Sequence, residues 1–423
     1  MRALFTTWEG GGHVPPALLV ARRMKDRGAE VLFVSDEATR PAAEAHNLTF
    51  TPWKTAPNRL TAGRAEDPLD DWKARTPWGV VRSVCDAVMC KPAGGYGADT
   101  LALIDGFKPD VVVSNELLFG VLAAAEARNL PAALLTGNLW CFPTRQDLPP
   151  FGPAFPPARS LFDHRREDMA RRLIARLYDQ GLPDLNQARG GLGLPPLKAT
   201  LDALTAARLT VLGVSRAFDY DAQPPGGVVY AGPLSVEPAW AGGEAAAAPT
   251  PGGDAPRVLV SFSTTFQDEA KIVARCVEAL GQLPVRGVVT LGPALRSARL
   301  PSRANVEVFE QASHDRIVPS CRLVICHGGH GTLIRPILHG VPVLSIPTGR
   351  DQPENARRLA VRGAGLTLRR GSSARTIAAA VRRMLGEPSF TAAAERLGAE
   401  VRAQADGGLR AAEAIEAFTR RRA

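Results

Sequence analysis

Two doubly wound α/β domains facing each other across a cleft are predicted by three observations. Strand and helix patterns alternate along the chain, a stretch of Ala, Pro and Gly at 237–256 interrupts them once, and the alternation then restarts. Several of the strands are apolar throughout, as strands buried on both faces of a parallel sheet must be. Ligands of such sheets sit at the C-terminal ends of the strands, so the cleft is the expected site. A chain of 423 residues allows two or three domains, and the composition places them at 1–236, 257–389 and a helical 390–423, with 237–256 as the linker.

The N-terminal block opens with the strand RALFTTW (2–8), the loop EGGGHVPP (9–16) and a helix over 16–28 that stops at Gly28. EVLFVSD (30–36) completes one βαβ unit. A Pro-Asp turn leads into the strand segment 105–116, followed by a helix at 117–131 and a strand at 132–138. RLTVLGVS (208–215) and VVYAGPL (228–234) close the block. The region 52–95 does not alternate and carries Trp53, Trp72 and Trp78. Long aromatic insertions between βα units serve ligand contact or simple packing.

The second block runs through a strand and loop at 257–265, a helix at 268–284, and strands at 286–292, 305–310, 322–328 and 342–347. An amphipathic helix follows at 373–386, and two more, 390–404 and 408–422, end the chain.

The formal net charge is +9, with 45% hydrophobic and 22% charged residues. Such a basic surface is either merely solvated or attracts anions, a nucleotide or an anionic membrane surface touched peripherally. Basic residues are not interleaved with aromatics, so nucleic acid is not an expected partner. Cys85, Cys90, Cys141, Cys276, Cys321 and Cys326 form no C-x-x-C pair and fit no zinc spacing. They read as reduced thiols of a cytoplasmic protein. The N-terminus lacks the apolar core of a signal peptide, and no run reaches the ~18 residues of a membrane span. A monomer and a homodimer are both compatible with the sequence.

Three motifs carry chemistry. The strand RLVIC runs into HGGHGT and then a helix, so glycines 328, 329 and 331 bare backbone N–H groups at a positive helix end. That arrangement receives a diphosphate, with Thr332 able to donate as well. A metal at His327 and His330 is the competing reading, but no carboxylate or cysteine with ligand geometry accompanies them. In GRDQPENARRL (349–359), Asp351 and Gln352 suit the hydroxyls of a sugar, while Asp351 also suits a helix N-cap. In GGGHVPP, His13 stands in a strand-end loop where a neutral imidazole can take a proton.

Together, GGHVPPALLVARRMKDRGAEVLFVS and HGGHGTLIRPILHGVPVLSIPTGRDQPENA resemble the GT-B glycosyltransferases that use nucleotide diphosphosugars and act on small lipophilic acceptors, especially the bacterial natural-product branch. The resemblance covers nearly the whole chain and implies that the last helix, 408–422, packs back on the N-terminal domain. It implies an inverting, metal-independent transfer from a dTDP- or UDP-sugar with no bound cofactor, with His13 as general base. It assigns the diphosphate to His327, Gly329, His330, Gly331 and Thr332, with Asn355, Ser263 and Thr264 also reaching phosphate. Asp351 and Gln352 take the sugar, and Ala312 meets the nucleotide base through its backbone. Trp53, Trp78 and Trp140 are the candidate acceptor contacts.

The chain departs from the family pattern at three places. The Asp that usually orients the catalytic His is Asn115 here, followed by Glu116. An amide can hold an imidazole but cannot stabilise an imidazolium. Glu116 takes over if the strand has ended and the chain turns; otherwise the acceptor is an acidic phenol that asks little of a base, and Glu116 also reads simply as an acid favourable to a helix start. Arg335 stands where uridine users carry Glu, which tilts the donor toward dTDP, and Ser263 stands where Gly is usual. Asn115 also keeps open a non-catalytic homologue that binds nucleotide sugar as a sensor or partner subunit.

Overall fold

The computed structural model describes residues 1–10, 12–61, 67, 69, 73–74, 76–234, 253–262, 267, 269–295, 298–404 and 406–421. Most of the segment 237–256, and both Ser263 and Thr264, lie outside the described residues. Two all-parallel sheets form the frame. The first contains β1 (Arg2–Thr6), β2 (Glu30–Ser35), β3 (Thr49–Pro52), β4 (Val111–Ser114), β5 (Ala132–Thr136), β6 (Leu209–Leu212) and β7 (Val228–Tyr230), in the order β3-β2-β1-β4-β5-β6-β7. The second contains β8 (Arg257–Ser261), β9 (Arg286–Thr290), β10 (Val306–Phe309), β11 (Leu323–Cys326), β12 (Val343–Ser345) and β13 (Gly365–Thr367), in the order β10-β9-β8-β11-β12-β13.

Each order reverses direction once, between β1 and β4 and between β8 and β11. Loops leaving the two central strands at such a switch point diverge and open a crevice. His13 follows β1, Asn115 and Glu116 follow β4, and the 327–329 loop follows β11. Register holds the first two together: β1 and β4 pair from Ala3↔Val111 to Thr6↔Ser114. The Asn115 N–H then donates to Thr6 O at 2.9 Å, so both chains leave the sheet at one level.

Val, Ile and Leu fill both faces of each sheet, since crossover helices cover both. One cluster spans the domains, with Leu139, Val214 and Phe218 packed among Leu333, Ile334 and Ile337. A buried ionic group also crosses. Arg358 Nε meets Asp219 Oδ1 at 2.6 Å and its Nη1 meets Glu354 Oε2 at 2.9 Å. Glu354 Oε1 accepts from the Gly152 and Ala154 N–H groups at 2.7 and 2.8 Å.

The helix Pro388–Arg402 packs on the helix His330–Leu338. The helix Gly407–Arg420 lies on the first helix, Val14–Asp26, burying Ala411, Ala412 and Ile415. Its Glu416 takes both the Nε and an Nη of Arg27, at 2.8 and 3.0 Å.

Several boundaries differ from the sequence expectation. β1 ends at Thr6, and β4 is confined to Val111–Ser114, because the helix Ala93–Phe107 occupies the preceding residues. The short strands β3 and β13 went unrecognised, being four and three residues with no alternation to mark them. The helix Leu161–Tyr178 was also missed; its polar residues do not segregate to an outer face.

Candidate functional site

His13 immediately precedes the helix Val14–Asp26, at the end of the glycine-rich loop. Its ring sits against Trp8, with centroids 5.3 Å apart. Asn115 Nδ2 lies 3.1 Å from His13 Nδ1 and 2.7 Å from Glu116 Oε2. Asn115 Oδ1 accepts from Trp8 Nε1 at 3.2 Å and from the Leu117 N–H at 3.1 Å. Both of those partners are obligate donors, so the amide orientation is fixed and Nδ2 is the atom facing the imidazole. The strand ends at Ser114 and the chain turns through Glu116 and Leu117, which brings Glu116 Oε1 to 3.9 Å from His13 Nδ1.

The electrostatics separate these groups. Burial lowers the His13 pKa to about 4, helped by the Arg350 guanidinium, so the ring is neutral at pH 7. Burial raises Glu116 to about 7; hydrogen bonds from its own backbone and the Thr136 hydroxyl oppose the rise, and the Asp351 charge adds to it. Cys141 also feels both Glu116 and Asp351, although burial is the larger reason its thiol is pushed up. Residues of the two domains therefore face one another here.

On the C-terminal side, Gly328 takes φ +93°, a left-handed conformation that favours glycine, and turns the chain after β11. His327 and His330 are both buried, and burial lowers each to about 4. His327 Nδ1 and His330 Nε2 have no hydrogen-bond partner among the described residues. His330 opens the helix His330–Leu338, whose first turn leaves Gly331 exposed and Thr332 partly exposed. A Cβ on Gly329 would fall 2.4 Å from His327 Nε2, whereas one on Gly331 would meet nothing within 4 Å. Among the described residues no three His, Cys, Asp or Glu side chains gather as a metal-binding group.

Asp351 stands at the head of the helix Gln352–Val361 without capping it through its side chain. Burial raises its pKa, against the Asn355 amide, its own backbone N–H, the Arg350 cation and the His330 backbone N–H. Asn355 Nδ2 reaches Asp351 Oδ2 at 2.7 Å and Gly328 O at 3.1 Å. Both amide hydrogens are thus engaged and the residue is fully buried, so Asn355 does not present itself to a phosphate but positions Asp351 and the glycine turn.

Gln352 is a second correction. Its Oε1 accepts from Thr348 N at 2.7 Å, Thr348 Oγ1 at 2.9 Å and Gly349 N at 3.2 Å, and its Nε2 donates to Gln267 Oε1 at 2.8 Å. It is 2% exposed and holds the 348–349 loop instead of offering its amide to sugar hydroxyls.

The aromatic residues divide similarly. Trp53 is 1% exposed, donates Nε1–H to Thr7 O at 3.0 Å and meets Tyr96 edge-on, so it is core and not acceptor surface. Trp78 is half exposed at the head of the helix Pro77–Val84. Trp140 is partly buried, donates to Thr144 Oγ1 at 2.8 Å and meets Phe142 edge-on. A cavity of about 380 Å³ opens beside Trp8, lined by Leu60, Val88, Tyr96 and Arg59 among others. Ala312 is buried with Val288 and Ile317 and presents little to a ligand. Arg335 is tied to Asp315, Nε to Oδ1 at 3.0 Å.

Two residues of the site escaped the sequence reading. Trp8 is hidden in an apolar strand pattern. Arg350 takes φ +55°, a left-handed conformation uncommon outside glycine, and its charge acts on both His13 and His327. Its place between Gly349 and Asp351, after a strand end, was the available signal.

Residues 275–409 match the family described as Erythromycin biosynthesis protein CIII-like, C-terminal domain. The chain is 29% identical over 427 residues to the 4'-demethylrebeccamycin synthase of Lentzea aerocolonigenes, covering 98% of this chain and 99% of that one. The chain has the GT-B fold and is similar in sequence to glycosyltransferases of natural-product pathways. Its fold is shared by the kitacinnamycin glycosyltransferase, with TM-score 0.76 and 19% identity over 99% of this chain and 98% of that one. The glycosyltransferase VinC, solved in complex with dTDP, aligns over 100% of both chains with TM-score 0.66 and 21% identity. No helix among the described residues is long and apolar enough to cross a membrane.

Proposed function

We propose that this glycosyltransferase moves a sugar from a dTDP- or UDP-sugar to a small apolar, aromatic acceptor with inversion at the anomeric carbon. His13 serves as the base and no metal takes part. The observation that carries this reading is the meeting of His13 and Glu116 from one domain with Arg350 and Asp351 from the other. The acceptor gives its proton to the imidazole as it attacks the anomeric carbon. The bond from that carbon to the diphosphate breaks, and its electron pair leaves with the phosphate oxygen. Base catalysis of this kind contributes roughly 10²–10⁴-fold.

Charge growing on the leaving diphosphate meets the N–H groups of Gly331 and Thr332 at a helix start, the N–H groups of two neutral histidines, and Arg350. These donors occupy the place that a divalent cation holds in metal-dependent transferases. Asp351 accepts hydrogen bonds from the sugar hydroxyls, positioned by Asn355. The dTDP complex of VinC and the carboxylate-bound Arg335 favour a thymidine donor.

Thermal-shift titration with dTDP and UDP should give the larger stabilisation with dTDP. Transfer from dTDP-glucose and UDP-glucose to a panel of planar phenols and indoles, followed by mass spectrometry, tests the reaction. His13→Ala should keep dTDP binding and lose transfer, and EDTA should leave the rate unchanged. A His13→Ala variant with full turnover, or strict dependence on Mg²⁺, overturns the reading. A binding-only homologue would show nucleotide affinity and no product with any variant.

A further inference from the structure

The helix Leu161–Tyr178 packs Ala175 and Tyr178 on the core, yet it also turns two charged residues inward and several large apolar ones outward. Its inward side buries Glu167 and Arg171, and Arg171 donates to the carbonyls of Arg145 and Leu148. Its outward side exposes Leu161 at 82%, Phe162 at 74%, Met169 at 70% and Leu173 at 61%. A surface helix of a water-soluble protein normally shows the reverse arrangement. At about 100° per residue, Phe162, Met169 and Leu173 fall within roughly 40° of arc and form one stripe about 16 Å long. Arg165, Arg172 and Arg176, all exposed, form a second stripe of similar width directly beside it. These three arginines make no ion pair with the described residues, whereas Arg166, outside the stripe, is paired with Asp163. Trp78, 50% exposed, stands on the adjoining helix Pro77–Val84.

An apolar stripe flanked by unpaired arginines matches an anionic bilayer surface. The side chains of Phe, Met, Leu and Trp enter the acyl boundary while the guanidinium groups meet lipid phosphates. A second copy fits less well, because a twofold contact along this helix brings the arginine stripe against its own copy. We infer that the outer face of the helix Leu161–Tyr178, with Trp78, docks this glycosyltransferase reversibly on anionic membrane surfaces. The helix ends at Tyr178, whose ring meets Phe142 edge-on, and Phe142 in turn meets Trp140. The inference concerns this surface alone and stands apart from the chemistry proposed at His13.

Co-sedimentation with vesicles tests it. The full chain should bind vesicles of equimolar phosphatidylglycerol and phosphatidylcholine and should not bind phosphatidylcholine alone, and added salt should release it. R165E/R172E/R176E should lower the partition coefficient about a hundredfold, at roughly fivefold for each lost charge. F162S/M169S/L173S should lower it about tenfold or more, with an unchanged melting temperature because these side chains are exposed. Failure of the parent chain to bind the anionic vesicles overturns the inference. So does equal binding to neutral vesicles, or wild-type binding by both variants. A dimer in analytical ultracentrifugation that F162S/M169S/L173S abolishes would assign the face to a second copy instead.

Discussion

Asn115 Nδ2 donates to His13 Nδ1 at 3.1 Å, and that single contact fixes the resting tautomer of the proposed base. A nitrogen that accepts cannot carry the proton, so the neutral ring holds its hydrogen on Nε2. In that form Nε2 donates and has no lone pair for a substrate proton. Catalysis through Nε2 requires the proton on Nδ1, and an acceptor beside it. Glu116 Oε1, 3.9 Å away, is such an acceptor once the Asn115 contact yields.

Glu116→Gln is therefore expected to cost about ten-thousandfold in turnover, on the scale seen when the carboxylate behind a catalytic histidine becomes an amide. Asn115→Asp placed in the Glu116→Gln background should recover most of that loss, because it returns a carboxylate directly to Nδ1. Its Oδ atoms keep the Trp8 and Leu117 donors satisfied. A Glu116→Gln enzyme retaining a tenth of wild-type kcat would show that no carboxylate is needed behind His13.

The pH profile follows from the same pair. Burial holds His13 near 4, so its ring is already neutral above about pH 5 and adds no further limb at higher pH. Glu116, raised to about 7, is protonated below that value and ionised above it. An uncharged carboxyl group cannot support an imidazolium, so kcat should rise with pH through about 7. Glu116→Gln should abolish this limb and leave only a residual one near 4. A wild-type profile flat from pH 5 to 9 would sever the link between Glu116 and His13.

The C-terminal motif makes a second separation. Asp351→Ala should lower the transfer rate about a hundredfold or more while dTDP binding falls no more than severalfold, because the carboxylate is assigned to sugar and not to phosphate. Gln352→Ala should act differently. It strands the Thr348 and Gly349 donors in a partly buried loop, at a cost of about 1 kcal/mol, visible as a lower urea midpoint. Equal effects of Asp351→Ala on nucleotide binding and on transfer would count against the sugar contact.

The alternation of strand and helix made the two sheets legible from the sequence, because long apolar runs and glycine-marked turns report backbone geometry locally. The HGGHGT turn was legible for the same reason. Which side chain of a motif faces outward was not. Asp351 and Gln352 are neighbours in sequence, but the helix start turns one toward the cleft and the other into the 348–349 loop. Trp53 looked like a ligand contact because aromatic insertions often are, yet its Nε1–H is spent on Thr7 O within the core. Arg350 was invisible because its role depends on a left-handed backbone and on charge reaching two histidines from different domains. The helix Leu161–Tyr178 escaped for a related reason: Glu167 and Arg171 are turned inward while Phe162, Met169 and Leu173 face outward, against the rule by which helices are read.

Domain closure gives the last prediction. Arg358 is 3% exposed and stands between Asp219 of the first domain and Glu354 of the second. The Asp219 carboxyl is held below its usual range despite burial, because the Arg358 charge and hydrogen bond and the Tyr230 hydroxyl favour the ionised form. Removing the cation leaves two buried carboxylates without their counter-charge, and breaking such a pair costs roughly 3–5 kcal/mol. Arg358→Met should lower stability by about that amount in urea unfolding. Asp219→Asn added to Arg358→Met should recover part of it, since one uncompensated charge is then gone. The segment at Gly152 and Ala154 is tied to the same Glu354, so the single variant should also loosen the facing of the two domains. Its readout is a raised KM for the donor with little change in dTDP affinity of the isolated second-domain site. An Arg358→Met protein with unchanged stability and KM would show that the apolar cluster of Phe218 and Leu333 holds the domains by itself.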